Sequence, residues 1–419
     1  MVTLRERFSV TKGYNLWSFI LMAIGALSII ILFITHGSSS DPIRQARFWA
    51  SLLQNSVYFL LITNAAMFFI CATTLAWGGW QLSFRRVSEA ISSAVPVIGI
   101  ISAAILLALV FGGNHVIYHW ASPEAEHDPI IQQKSAFLNK GFFTVWTILI
   151  ITLWSWIGYK VRSISRSVDD RSLTLEEGKK YIWNNTVWAA IFLVVFALSV
   201  MSTIPWLWLM SINAHWYSTM YSWYTFGSTF VAGVALIALF VIYLKNRGYL
   251  ELTNEEHLHD LGKFMFAFSI FWTYLWFSQY MLIWYSNQPE ETRYFIERIG
   301  TSGHPSPYKG IFFLNLIINF VAPILLLMRR GSKRNYTMMT FMAVLIVFGH
   351  WLNFYQMVFP HPLLDPNTGR TYVPNMLLDF GVGLGYVGLI IFVTGKTLAK
   401  WPLIAKHHPF IKESIIHHT

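Results

Sequence analysis

Residues 48–77 read FWASLLQNSVYFLLITNAAMFFICATTLAW, a run without Asp, Glu, Lys, Arg or His. A helix of about 20 apolar residues crosses a hydrocarbon core about 30 Å thick. The run therefore predicts a membrane-spanning helix and sets the class of the chain. Comparable runs recur on both sides of it, at 16–35, 88–111, 141–159, 183–209, 218–244, 261–285, 310–328, 336–358 and 375–395. The expected fold is an all-α polytopic membrane protein of about ten transmembrane helices, a single integral membrane domain over 1–419.

Composition points the same way. Apolar residues make up 55% of the chain and charged residues 12%, about half the charged share usual in soluble proteins, and 19 Trp with 19 Tyr suit two interfacial belts. A net charge of +10 in a soluble protein would suggest nucleic acid. Here it follows from which loops are basic, and no nucleic-acid partner is expected. With the N-terminus inside, 22 Lys and Arg fall in inner segments, among them Arg5, Arg85, Arg86, Arg162, Arg166 and Arg171. Eight fall outside: Arg44, Arg47, Lys134, Lys140, Arg293, Arg298, Lys309 and Arg370. The positive-inside rule then places both termini in the cytoplasm. The apolar run at 16–35 is too long for a signal-peptide core and no A-x-A site follows it, so it is expected to be a retained helix.

The sole cysteine, Cys71, lies inside a span, so disulfides, thiolate zinc sites and cysteine-ligated iron–sulfur clusters are not expected of this chain. Of 14 His only His350 falls clearly within a span, which leaves no pair to ligate a membrane haem. His115 and His119 have a helical metal-ligand spacing, but a hydrated loop explains them more simply, and no metal is expected. The inner loops look like solvated surface segments, the longest at 160–181. The outer loops at 112–140, 286–308 and 359–374 are longer, richer in Pro and His, and suited to docking a partner.

Polar residues inside spans are the candidate functional groups, because a charge in hydrocarbon costs several kcal/mol unless it is paired or wetted. Asp379 is expected to be the only embedded carboxylate, about one turn into the last span. Pro374 and Asn375 resemble a helix start, so a first-turn acid favoured by the helix dipole is the alternative reading. His350, Asn353 and Gln356 follow at spacings of three and share a helix face; that stripe suits a proton path or a quinone contact, and equally a histidine satisfied by a neighbouring helix. Trp272, Trp276, Gln279 and Tyr280 share a face of the seventh span, with Tyr285, Asn287, Glu290 and Glu291 at its exit, an arrangement an aromatic belt with an acidic rim would also give. Asn315 and Asn319 read as interhelical glue, and Gly381, Gly385 and Gly388 as close helix packing. The proton-path candidates are thus Asp379, His350, Tyr280, Asn353, Gln356, Glu290 and Glu291. The quinone-contact candidates are His350, Trp276, Gln279 and Tyr280.

Three runs carry a resemblance: SINAHWYSTMYSWYT at 211–225, WFSQYMLIWYSNQPEET at 276–292 and GHWLNFY at 349–355. Together they resemble the F subunit of bacterial alternative complex III, of the polysulfide-reductase (NrfD-like) membrane-anchor family, and the similarity extends over essentially the whole chain. The resemblance implies two four-helix bundles, helices 2–5 and 6–9, with helices 1 and 10 peripheral. It implies residence in the bacterial inner membrane beside a paralogous quinol-binding subunit, an iron–sulfur subunit, haem c subunits, small membrane subunits and a terminal oxidase. It further implies oxidation of quinol, usually menaquinol, with electrons leaving through those partners, no redox centre in this chain, and phospholipid or menaquinone as its only bound small molecules. Two rival readings stand beside it. One is a cofactor-free structural anchor. The other is a secondary transporter, whose mark would be matched helix breaks in both halves; Pro96, Pro205 and Pro323 show no such match in the sequence.

Overall fold

The computed structural model describes residues 6–113, 115–169, 172–365, 371–373 and 375–418. Pro374, expected to open the last helix, and Arg5, Arg171 and Arg370, counted among the loop cations, lie outside the described residues. The protein is an all-α polytopic membrane protein. Its long helices are α1 (Lys12–Gly37), α2 (Pro42–Leu75), α3 (Arg85–Phe111), α4 (Lys140–Arg166), α5 (Leu175–Asn213), α6 (Met220–Asn246), α7 (Glu255–Ser286), α8 (Lys309–Leu327), α9 (Tyr336–Val358) and α10 (Leu377–Lys400). Nine of these, among the described residues, are long and apolar enough to cross a membrane. The other, α7, is 32 residues long, but Trp, Tyr, Thr and Gln stand where the others carry aliphatic side chains.

Side-chain caps start several of these helices. Asn139 accepts from Phe142 N–H at the head of α4, Thr174 and Glu177 form a capping box on α5, and Asn254 and Asn335 cap α7 and α9. Each supplies an acceptor to first-turn N–H groups that have no partner inside the helix.

The helices pack as two rings. In the first, α2 touches α3, α3 touches α4, α4 touches α5 and α5 returns to α2; in the second, α6, α7, α8 and α9 close in the same way. The rings join where α2 meets α6, and these two helices are buried over 83% of their most apolar stretches, against 22% for α1. Helix α1 is held almost wholly by α10, which also packs on α2 and α3. The α1–α10 seam is made by small residues. Gly25 and Gly385 face each other so closely that a Cβ on either would strike the other's Cα, and a Cβ on Gly381 would strike Ser28. Without a hydrophobic drive between helices in lipid, such close backbone approach is what holds them.

Helix α3 breaks at Ser93–Ala94, ahead of Pro96, and two further helices are interrupted. In α5 a π turn spans Ser199–Thr203 just before Pro205, and in α8 another spans Ile317–Val321 before Pro323. Proline lacks an N–H and its ring crowds the carbonyl four residues back, and a widened turn relieves both. Breaks therefore occur in both halves, but they fall on the second and fourth helices of one ring and the third of the other, so the two halves do not match.

Both ends of the chain, and the segments joining α2 to α3, α4 to α5, α6 to α7 and α8 to α9, lie at one end of the molecule, the terminal end. There Leu403 N–H donates to Glu6 O at 2.8 Å. The tail 401–418 runs as a strap across this end: Ser414 Oγ accepts from Ser83 N–H at 3.0 Å and donates to Trp80 O at 2.7 Å, and Asn254 donates to His417 O at 3.1 Å.

Candidate functional site

His350 lies inside the second ring, fully buried. Its Nδ1 pairs with Ser228 Oγ of α6 at 2.9 Å. Asn353, one turn on, donates to the same Ser228 Oγ at 3.2 Å and accepts both from Tyr224 OH and from Asn315 Nδ2 at 3.2 Å. Asn319 then donates to Asn315 Oδ1 at 2.6 Å. Each pair rests on helical spacing, because Tyr224 with Ser228 and Asn315 with Asn319 are four apart. Asn319 sits in the π turn of α8, and Gly349 makes room for it, since a Cβ there would strike Asn319 Oδ1. Trp272 of α7 closes the site, edge-on to the His350 ring at 5.3 Å and stacked with Tyr224 at 5.6 Å.

The network is not self-sufficient. His350 Nε2, Asn319 Oδ1, Trp272 Nε1 and Gln279 Nε2 are all buried without a hydrogen-bond partner. Leaving such a group unsatisfied costs about 1–3 kcal/mol, and three of the four, on His350, Trp272 and Asn319, belong to side chains of this one network. Whichever tautomer His350 adopts, one ring nitrogen faces Ser228 and the other faces this unpaired region. A hydroxyl and an imidazole in contact can pass a proton; the asparagines can only orient them.

Asp379 stands elsewhere. It is fully buried in the first turn of α10, and its Oδ2 lies 3.4 Å from Arg47 Nη2 of α2. Arg47 also donates to Asn375 O at 2.8 Å. Asn55 donates to Asp379 O at 3.2 Å and accepts from Trp351 Nε1 at 2.8 Å. Asn375 Oδ1 accepts from Leu377 N–H, as a helix-start residue should. Ser51 lies against the carboxyl without reaching hydrogen-bond geometry, and Asp379 Oδ1 has no partner. Arg47, counted as an outer-loop cation, is therefore a buried residue of α2.

The expected gathering of Asp379, His350, Tyr280, Asn353 and Gln356 does not occur. His350 and Asn353 share one network and Asp379 belongs to the Arg47 pair. Gln356 lies toward the end opposite the termini, where its Nε2 donates to Tyr308 O at 3.4 Å and its backbone carbonyl accepts from Arg298 Nε at 2.9 Å. Tyr280 is half-buried, parallel to Trp276 at 6.3 Å and edge-on to Phe295. Glu290 is exposed, and Glu291 accepts from Ser286 at its helix exit. Nearby, burial pushes the Glu297 carboxyl up, but the hydrogen bond and charge of His361 with Arg298 and Arg293 outweigh it and hold the group below the usual range.

The four quinone-contact candidates do not converge either. On α7 the neighbour of His350 is Trp272, whereas Trp276, Gln279 and Tyr280 lie one to two turns further along, about 6–12 Å by helix rise. They do not form one pocket for a quinone head, and no step through quinone is derived for this chain. Among the described residues no three His, Cys, Asp or Glu side chains are grouped as metal ligands would be.

The first ring holds a charged cluster that the sequence reading missed. Glu89, 1% exposed, bonds Arg85 Nε at 3.0 Å and Arg86 Nη1 at 2.7 Å, and Arg86 also pairs with Asp169. Asp379 is therefore not the only embedded carboxylate. Because α3 begins at Arg85 and α4 runs to Arg166, residues read as solvated loop cations are buried, Arg162 at 6% exposure among them. Arg85 further reaches Asn185 of α5 at 3.3 Å. Further along α2, fully enclosed, Asn64 has neither side-chain atom paired.

Comparison of the sequence with models of known families, and with curated proteins, gives no match.

Proposed function

We propose that this protein is a membrane subunit, without a redox centre of its own, of a bacterial respiratory complex of the alternative complex III type. It sits in the inner membrane with both termini in the cytoplasm. Quinol is oxidised in a paralogous membrane subunit and electrons leave through iron–sulfur and haem c partners to a cytochrome or an oxidase. The part of this chain is to carry protons through its second ring. The partners rest on the resemblance of the runs at 211–225, 276–292 and 349–355. The proton role rests on one observation: a fully buried histidine that pairs with Ser228 through Nδ1 and leaves Nε2 buried without a partner.

The test is His350→Leu in the complex purified from native membranes. Proton yield per electron should fall while the haem subunits stay bound and the complex stays assembled. Unchanged turnover and unchanged proton yield in an assembled complex reject the proton role. A purified protein accompanied by no haem or iron–sulfur subunit rejects the assembly. A structural-anchor reading is favoured at one place, Asp379, because Arg47 pairs with that carboxylate directly.

A further inference from the structure

Three cations meet where α4 and α10 end, and none of them forms an ion pair among the described residues. Arg162 is 6% exposed; its guanidinium donates to Ser92 Oγ at 3.0 Å and lies against Gly158, where a Cβ would stand 3.2 Å from Nη1. One turn on, Arg166 lays its guanidinium 4.4 Å from the Trp401 ring centre, with its Nε buried and unpartnered. Lys400 Nζ stands 5.4 Å from the same ring. The nearby acids are engaged already, Glu89 by Arg85 and Arg86, Asp169 by Arg86. Among the described residues, five cations thus share two carboxylates. The helix ends do not close the gap, since a terminal dipole stabilises a cation far less than an uncompensated buried charge costs.

We infer that this corner binds the phosphate head of an anionic phospholipid from the leaflet at the terminal end. A guanidinium presents N–H donors in a fork that fits phosphate oxygens, and basic pockets between helix ends are where lipid heads bind. The chemistry is a lipid's rather than a free ion's because the corner opens onto the lipid-facing side. Tyr159 is 59% exposed beside it, and Val97 and Ile100 form an exposed apolar stripe on α3 along which acyl chains lie. The site is independent of the proton role proposed for the second ring.

The experiment uses the full chain, purified and delipidated in detergent. Dioleoylphosphatidylglycerol, dioleoylphosphatidylcholine and inorganic phosphate are titrated separately, read by native mass spectrometry for bound lipid and by the shift in Tm. Wild type should retain one phosphatidylglycerol beyond the non-specific background, with a lipid-dependent rise in Tm. Arg162→Gln and Arg166→Gln should each bind it at least tenfold more weakly. Equal retention in wild type and both variants, or equal binding of phosphatidylcholine, overturns the proposal; displacement of the lipid by an equal concentration of inorganic phosphate makes this a free-anion site and overturns it too. Should Arg162→Gln fail to fold, Arg166→Gln and the exposed Lys400→Gln decide by the same readouts.

Discussion

Arg47 and Asp379, 332 positions apart, close on each other at 3.4 Å with both side chains buried. The contact ties the first ring to α10. Removing one partner of such a pair strands the other charge, at about 3–5 kcal/mol, whereas replacing both is far milder. Arg47→Gln and Asp379→Asn should each lower the Tm of the purified protein markedly, and the double variant should recover most of the loss. A double variant no more stable than either single one rejects the pairing.

Asn353 joins three helices by accepting from Tyr224 and Asn315 and donating to Ser228. Interhelical hydrogen bonds in membranes average about 0.6 kcal/mol, so Asn353→Leu should cost about 2 kcal/mol and leave new unpartnered groups. Thermal unfolding in detergent checks this, with Asn353→Asp as a polar comparison.

Gly25 faces backbone, whereas Gly13 on the same helix has nothing within 4 Å of an added Cβ. Gly25→Ala should therefore destabilise by about 1–3 kcal/mol through overpacking, while Gly13→Ala should be neutral or slightly stabilising. Similar Tm values for the two would show that the α1–α10 seam is looser than described.

His408, in the tail strap, is pushed down to about 3 by burial and then by the nearby charges of Arg85 and Arg86, against a smaller opposing effect of Glu89. It accepts from Phe410 N–H through Nδ1 at 3.1 Å and packs edge-on to Tyr181. Because its bound-state value lies below the free value of about 6.5, the released tail takes up the proton more readily. Docking is thus at full strength above pH 6.5 and weakens as the pH falls toward 3, by about 2 kcal/mol at pH 5. Protection factors over 401–418, which allow for the slower intrinsic exchange at lower pH, should fall between pH 7.5 and 5 in wild type and change much less in His408→Asn.

The split of 22 to eight basic residues predicts that a reporter fused after Thr419 works only in the cytoplasm. An externally accessible fusion would reverse the orientation.

The helices were legible because apolar length is a property of one segment. Helix ends were less so. The apolar run of α4 stops at 159, but a helix continues through charged residues that propensity allows, and that continuation buries Arg162. Glu89 was missed because Arg85 and Arg86 look like loop cations, although acid and bases spaced three and four apart were the available signal. His350 was found from its own helix, but Ser228 and Tyr224 were not, since serine and tyrosine in a span are unremarkable until a neighbour faces them. Arg47 could not be matched to Asp379 by any local pattern, because their nearness is made by the packing of α10 on α2.

The Gly25–Gly385 contact also fixes an order of events during synthesis. At about 5–20 residues per second, roughly 20–70 s separate the two glycines as they leave the ribosome. Through that interval α1 has its Phe33–Gly37 end on α2, and its notch at Gly25 and Ser28 lacks the α10 surface that fills it. Docking of α10 fills the notch, so the edge that holds α1 is completed only when the last long helix has been made, and a chain halted between the two glycines has an open notch there.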